Sequence, residues 1–230
     1  MDNDEQVTLS RRILEKSQRE TEPYLVQLLG QEFIVFPGVF SPKYLGSTRV
    51  FTENVSYRPG ESFLEVGCGT GITAITAALR GAGRVVAVDL SPEAVENTRA
   101  NAERHGVAHV VDARVSDIFS ALRPVERFDT IYWNMPFIYV EPGFVYRSEL
   151  ERAIFDPGYE ATKSFLRDAP GRLNEGGRVL IGFADFGDER AFLGLCGEVG
   201  YTLREVTRGP DFERQPITFI LYELTLPREA

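Results

Sequence analysis

SFLEVGCGTGITAITAALRGAGRVVAVDL, residues 62–90, decides the fold of this chain. The run SFLEVGC (Ser62–Cys68) reads as a buried strand, and GITAITAALRG (Gly71–Gly81) as a helix rich in alanine and free of interior proline. RVVAVDL (Arg84–Leu90) returns to a strand with a continuous apolar run. Three glycines, Gly67, Gly69 and Gly71, sit at the first crossing from strand to helix. A strand, a crossover helix and a second strand imply a parallel pair with a right-handed connection.

The alternation continues outward. SPEAVENTRANAERHG (Ser91–Gly106) predicts a helix, with Ser91 as N-cap, Pro92 in the first turn and Gly106 just past the end. Strands follow at Val110–Asp117 and at FDTIYWN (Phe128–Asn134). A helix is expected over residues 158–173, a strand over Gly177–Ala184, a helix over Asp188–Val199, and strands over Tyr201–Thr207 and Ile217–Leu226. The last two are expected to pair antiparallel through the Gly209-Pro210 loop. The class is therefore α/β, a doubly wound, mostly parallel sheet with an antiparallel last strand. Upstream, residues 8–29 read as two short helices broken at Pro23, and EFIVF (Glu32–Phe36) as a short strand. A loop then runs into a helix near Ser47–Val55. The chain divides into an N-terminal segment packing on the fold (1–45) and the main domain (46–230).

Composition narrows the function classes. The formal charge is −9, with no run of Lys or Arg beyond Arg11-Arg12, which demotes nucleic acid as a partner. Apolar residues make up 43% of the 230, enough for a sizeable core, yet no stretch has the length of a membrane span. Two cysteines and two histidines support neither a disulfide framework nor a zinc site, so no metal is expected. The polar N-terminus is not a signal peptide, and the expected location is the cytoplasm.

Ligands of open parallel sheets bind beyond the carboxyl ends of the strands, here at Gly67, Asp89, Asp117 and Asn134. Glycines at the first turn allow positive φ and a close approach of backbone to ligand, although a tight connection alone would also use them. Asp89 lies 22 residues after Gly67 and ends the next strand, where a carboxylate can accept both ribose hydroxyls of an adenosine. The same pair would suit NAD. However, the G-C-G-T-G spacing lacks the third glycine of the dinucleotide fingerprint. Asp117 can accept the exocyclic amine of adenine or cap the short helix expected after it. Ile118 and Leu90 can pack on the two faces of the ring, or serve the core.

Taken together, FLEVGCGTG, VVAVDLSPEAVENTRAN, VSDIF and FDTIYWNMPF resemble the class I S-adenosylmethionine-dependent methyltransferases, in order and spacing, over roughly residues 60–185. The resemblance implies a Rossmann-like fold, S-adenosylmethionine as cofactor, and Glu65, Gly67, Cys68, Gly69, Gly71, Asp89, Leu90, Asp117, Ile118 and Asn134 around it. FPGVFSPKYLGSTRVF (Phe36–Phe51) resembles the stretch before the fold in the release-factor glutamine methyltransferases and their N-methyltransferase relatives. There a Pro and a Thr help enclose the cofactor, matching Pro42 and Thr48. DPGYEATKSFL (Asp156–Leu166) resembles the start of the following helix in the same branch.

Asn134-Met135-Pro136-Phe137 resembles the Asn/Asp-Pro-Pro-Tyr/Phe tetrapeptide of amino-directed methyltransferases. A planar amide or aromatic amine is a poor nucleophile because its lone pair is delocalised. Acceptors that bind its hydrogens aim the lone pair at the methyl and stabilise the charge developing on nitrogen. Asn134 Oδ1 and the Met135 carbonyl are the candidate acceptors. Pro136 fixes the turn, and the Phe137 ring can stack on the substrate for ~1 kcal/mol. Met135 departs from the family's first proline. It keeps the carbonyl, loses rigidity and leaves the substrate class open.

Residues 138–162 form a long link in which Tyr139, Phe144, Tyr146, Arg147 and Tyr159 are candidates for substrate contact. The expected activity is N-methylation of a planar amide or amino nitrogen of a protein or small molecule. An oxygen or carbon acceptor, and a non-catalytic cofactor-binding partner subunit, remain alternatives. The family's bacterial enzymes carry a larger helical N-terminal domain. Here the short N-terminal segment implies recognition by a partner subunit, or a small substrate read by the link alone.

Overall fold

The computed structural model describes residues 3–210 and 217–226. Its elements are α1 (Asn3–Ser17), β1 (Tyr24–Leu28), β2 (Gln31–Val35), α2 (Ser47–Asn54), β3 (Ser62–Val66), α3 (Ile72–Leu79), β4 (Arg84–Asp89), α4 (Pro92–Arg104), β5 (Val111–Val115) and β6 (Phe128–Asn134). They continue with β7 (Ile138–Val140), a 3₁₀ turn (Glu149–Ala153), β8 (Phe155–Pro157), α5 (Glu160–Asp168), a second 3₁₀ turn (Ala169–Arg172), β9 (Leu173–Ala184), α6 (Glu189–Val199), β10 (Thr202–Pro210) and β11 (Thr218–Thr225).

Seven strands form the central sheet in the order β10-β11-β9-β6-β3-β4-β5. β3, β4, β5, β6 and β9 run parallel, while β11 is antiparallel to both of its neighbours. The expected class is what forms: α/β, Rossmann-like, doubly wound, with a reversed last strand. The strands read as continuous apolar runs because helices cover both faces. Phe63, Phe128, Phe183 and Phe219 are fully buried, each worth roughly 2–3 kcal/mol of transfer free energy. α3 is buried nearly all round, matching its ITAITAAL sequence.

The N-terminal reading needs one correction. Only α1 is helical; residues 24–28, expected in a second helix, form β1, antiparallel to β2. The helix ends at Ser17, six residues before Pro23, and Leu29-Gly30 turn with φ of 56° and 74°. Two successive positive φ values give the two-residue hairpin turn that suits strand twist. A Leu-Gly pair carries little turn signal, which is why the alternation in YLVQL passed for helix.

The link after β6 is also more structured than a loop. β7 and β8 pair in parallel, and α1 packs against this unit. Arg11 of α1 pairs with buried Glu151 at 2.8 Å and stacks over Phe144, with its guanidinium carbon 5.0 Å from the ring centroid. Among the described residues, no helix is long and apolar enough to cross a membrane.

Candidate active site

The carboxyl ends of β3, β4, β5 and β6 place Gly67, Asp89, Asp117 and Asn134 at one edge of the sheet. Gly67, Gly69 and Gly71 all adopt positive φ (64°, 52° and 74°). At Gly71 the reason is also steric, because a β-carbon would stand 2.7 Å from the Thr98 side chain. At Gly69 a β-carbon would meet nothing within 4 Å, so this part of the turn borders open space.

α4 holds the turn from beneath. Thr98 Oγ1 donates to the Gly69 carbonyl at 3.1 Å, and Asn101 Nδ2 donates to the Thr70 carbonyl at 2.9 Å. Asn101 and Asn97 also bind the backbone of the hairpin: Asn101 Oδ1 accepts from Ile34 N–H and Asn97 Oδ1 from Phe36 N–H, each at 2.8 Å, and both amides donate to the Ile34 carbonyl. Three small polar side chains on the buried face of α4 therefore join hairpin and turn. Their spacing along the helix is the signal that marks them in the sequence.

Asp89 accepts the Gly69 N–H at 2.8 Å and the Ser91 N–H at 2.9 Å. A carboxylate has about four acceptor positions, so capacity remains on each oxygen. Burial raises its pKa, while the Ser91 and Gly69 N–H groups work against that rise. Next to it Leu90 is 48% exposed, an apolar surface at the strand end. Asp117 is exposed and Ile118 half-buried, the latter at a φ of 47° that is rare for a β-branched residue. Ser120 Oγ accepts the Asp117 N–H at 3.0 Å, so the segment after β5 is a turn rather than a helix. Cys68 is a buried free thiol that accepts from Thr98 Oγ1 at 3.2 Å.

Glu65 lies beneath the turn, inside the core. It is 4% exposed, and its Oε2 accepts the N–H of Ala74, the third residue of α3, at 2.7 Å. The carboxyl braces the start of this helix rather than facing the open side of the turn. Burial pushes its pKa from an ordinary 4.5 to about 8, against the pull of the Ala74 N–H. Between those values the unfolded chain gives up the proton and the folded chain keeps it. Its contribution to stability is thus complete below about pH 4.5, falls as pH rises, and is lost above about 8. Glu65→Gln should remove this slope. The stability difference between variant and wild type, from urea unfolding, is expected to change by up to roughly 5 kcal/mol from pH 4.5 to 8.

At the end of β6, Asn134 is half-buried, and its Nδ2 donates to Ser47 Oγ at 3.3 Å. Ser47 is the buried first residue of α2, one position before the half-buried Thr48 to which the sequence points. Met135 is fully buried and gives its N–H to the Gly182 carbonyl at 3.3 Å. Among the described residues, nothing donates to Asn134 Oδ1 or to the Met135 carbonyl. Two acceptors on adjacent residues are thus unclaimed. The Phe137 ring, expected on the substrate, is 3% exposed and packs in the core. Trp133, just before Asn134, packs on Phe165 with ring centroids 4.6 Å apart.

The link residues divide. Phe144 and Tyr146 pack edge to face, beside the Arg11 contact. Arg147 is exposed and Tyr139 half-buried. Tyr159, expected at the substrate, is instead 2% exposed. Its hydroxyl donates to the Phe137 carbonyl at 2.8 Å and accepts the Asp188 N–H at 3.0 Å. It holds this tie from a left-handed φ of 54°. Tyr159→Phe is expected to cost about 1–3 kcal/mol in urea unfolding by leaving a buried carbonyl unpaired. Pro42 is buried and lines, with Lys43, Gly46 and Val50, a cleft of about 600 Å³ between β1, α2 and the end of β10.

The turn, the acidic strand end and the exposed leucine form a set that suits an adenosine bearing a sulfonium side chain. The open face at Gly69 gives room for the ligand. Fold and site together define the class, and the chain belongs to the methyltransferase small domain family, whose model matches residues 30–193. It is a class I S-adenosylmethionine-dependent methyltransferase. Within that class it is similar to the release factor glutamine methyltransferase of Cereibacter sphaeroides, 33% identical over 196 residues, which cover 80% of this chain and 66% of the relative. The release factor glutamine methyltransferase of Koribacter versatilis is 35% identical over 143 residues, covering 59% of this chain and 50% of the relative. The chain thus spans half to just under two thirds of these relatives' length. A methyltransferase from Pyrococcus furiosus shares the fold, with a TM-score of 0.61 at 19% identity, covering 96% of this chain and all of that one.

Proposed function

We propose that this chain methylates a planar amide nitrogen, the side chain of a glutamine presented by a protein. The observation that carries this reading is the pair of unclaimed acceptors, Asn134 Oδ1 and the Met135 carbonyl, side by side at the end of β6. Two acceptors match the two hydrogens of a primary carboxamide. The relatives named for release factor glutamine methylation support the same acceptor.

S-adenosylmethionine supplies, when bound, an electrophilic methyl on sulfonium. In this reading Asp89 takes the ribose hydroxyls, Asp117 the adenine amine, and Leu90 and Ile118 the faces of the ring. Gly67, Cys68, Gly69 and Gly71 shape the turn beside them. Glu65 acts through α3, and Pro42 and Thr48 close the side toward α2. Ser47 takes the amide N–H of Asn134 and so turns Oδ1 toward the acceptor. Asn134 and Met135 bind the two hydrogens of the acceptor nitrogen, favouring tetrahedral geometry. The methylated nitrogen would give up its extra proton to water, so the chain need supply no strong base. Pro136 and Phe137 keep the tetrapeptide in place from the core side.

The test is mass spectrometry after incubation with methyl-deuterated S-adenosylmethionine and three acceptors: a folded glutamine-bearing protein panel, free glutamine, and guanosine. Labelled methyl on a protein glutamine side chain is the expected result. Label on guanosine or on an oxygen, with none on glutamine, would refute the reading.

A further inference from the structure

Asp89 ends β4, and Asp117-Ile118 follow β5. A nucleoside held by these residues lies over the β4–β5 side of the sheet. The sheet order then sends the rest of the cofactor, its amino-acid end, across the tip of β3 toward β6. At that tip stands Gly67, which is exposed. A β-carbon on Gly67 would lie 3.3 Å from Trp133 Nε1, so the indole N–H edge adjoins the turn.

Trp133 is 5% exposed. Among the described residues nothing accepts its indole N–H. Nor is that nitrogen sealed in the core: the one fully buried side-chain polar atom without a partner, among the described residues, is the Tyr132 hydroxyl. The small exposed part of Trp133 therefore includes its N–H edge. Indole is a donor only. At the amino-acid end of the cofactor the sulfonium and ammonium groups are cations, which an N–H opposes. The carboxylate is the anionic acceptor.

We propose that Trp133 is a cofactor-binding residue whose indole N–H donates to the methionyl carboxylate at the Gly67 turn. The proposal rests on the cofactor placement given under the proposed function. The bond is charge-assisted and so belongs to the stronger class. Its partner position is open to water in the free protein, so binding exchanges one acceptor for another without unburying the ring.

Trp133 is the single tryptophan of the chain, and a ¹⁵N-labelled sample gives one indole N–H resonance. S-adenosylhomocysteine should move that resonance downfield. 5′-Methylthioadenosine, the same nucleoside without the amino-acid end, should leave it close to its free position. In calorimetry Trp133→Phe, which keeps a ring on Phe165, should bind S-adenosylhomocysteine about tenfold more weakly, with 5′-methylthioadenosine affinity unchanged. An unmoved resonance with S-adenosylhomocysteine bound, or an equal loss for both ligands, overturns the proposal. The wild-type resonance decides alone if the variant does not fold. Failure of both ligands to bind wild type overturns the cofactor placement as well, and is seen separately as an absence of heat.

Discussion

Asn134→Ala is expected to lower kcat by roughly 10²–10³ while leaving S-adenosylhomocysteine affinity within a few-fold of wild type. The size follows from the loss of an acceptor aimed where positive charge develops, in a site shielded by α2 and the core. The asymmetry follows from position. Asn134 sits on β6, whereas the groups assigned to the nucleoside sit on β4 and after β5. Asn134→Asp keeps an acceptor oxygen, and Ser47 can donate its hydroxyl to the new carboxylate. This variant should retain more activity than the alanine. Steady-state kinetics at saturating cofactor, with calorimetry in parallel, measure both quantities. Equal loss in the two variants would mean that the oxygen is not used.

Asp89→Ala should raise the S-adenosylhomocysteine Kd by on the order of 10²–10⁴, since two ribose hydroxyl bonds to a charged group are each worth roughly 1.5–3 kcal/mol. The same change frees the N–H groups of Gly69 and Ser91, which Asp89 now holds. Part of the loss will therefore come from a less ordered turn. Asp89→Asn keeps the shape, removes the charge and retains one of the two accepting oxygens, and should fall between wild type and Asp89→Ala. Because burial raises the Asp89 pKa, protonation begins at higher pH than for an exposed aspartate. Cofactor affinity should weaken as pH falls into the acidic range, and the asparagine variant should lack that dependence. Calorimetric titrations from pH 8 downward give both results.

The sheet was legible because its strands are buried on both faces. Runs such as RVVAVDL and FDTIYWN need no alternation to be read, and the helices between them carry ordinary caps. The hairpin was not legible, because Leu29 takes a left-handed conformation that its side chain does not announce. β7 and β8, at three residues each, fall below the length at which periodicity has meaning. The strand ends where the candidate residues lie were legible, since the end of an apolar run marks them. Residues that act from the side were missed. Ser47 lies 87 positions from Asn134 and meets it only through the fold. Tyr159 was placed at the substrate because it lies in a long link; its hydroxyl instead spans two buried backbone groups, a role no local pattern encodes.

The amides of Asn97 and Asn101 give the hairpin a weight its length would not suggest. Both side chains are wholly buried, and between them they serve Ile34, Phe36 and Thr70. Excising everything before residue 46 would strand these amides beneath the methyltransferase core. Each orphaned group would cost about 1–3 kcal/mol, a large part of a typical domain's margin. A shortened protein of that kind should lose its grip on the nucleoside together with its thermal resistance, because one pair of asparagines underpins both.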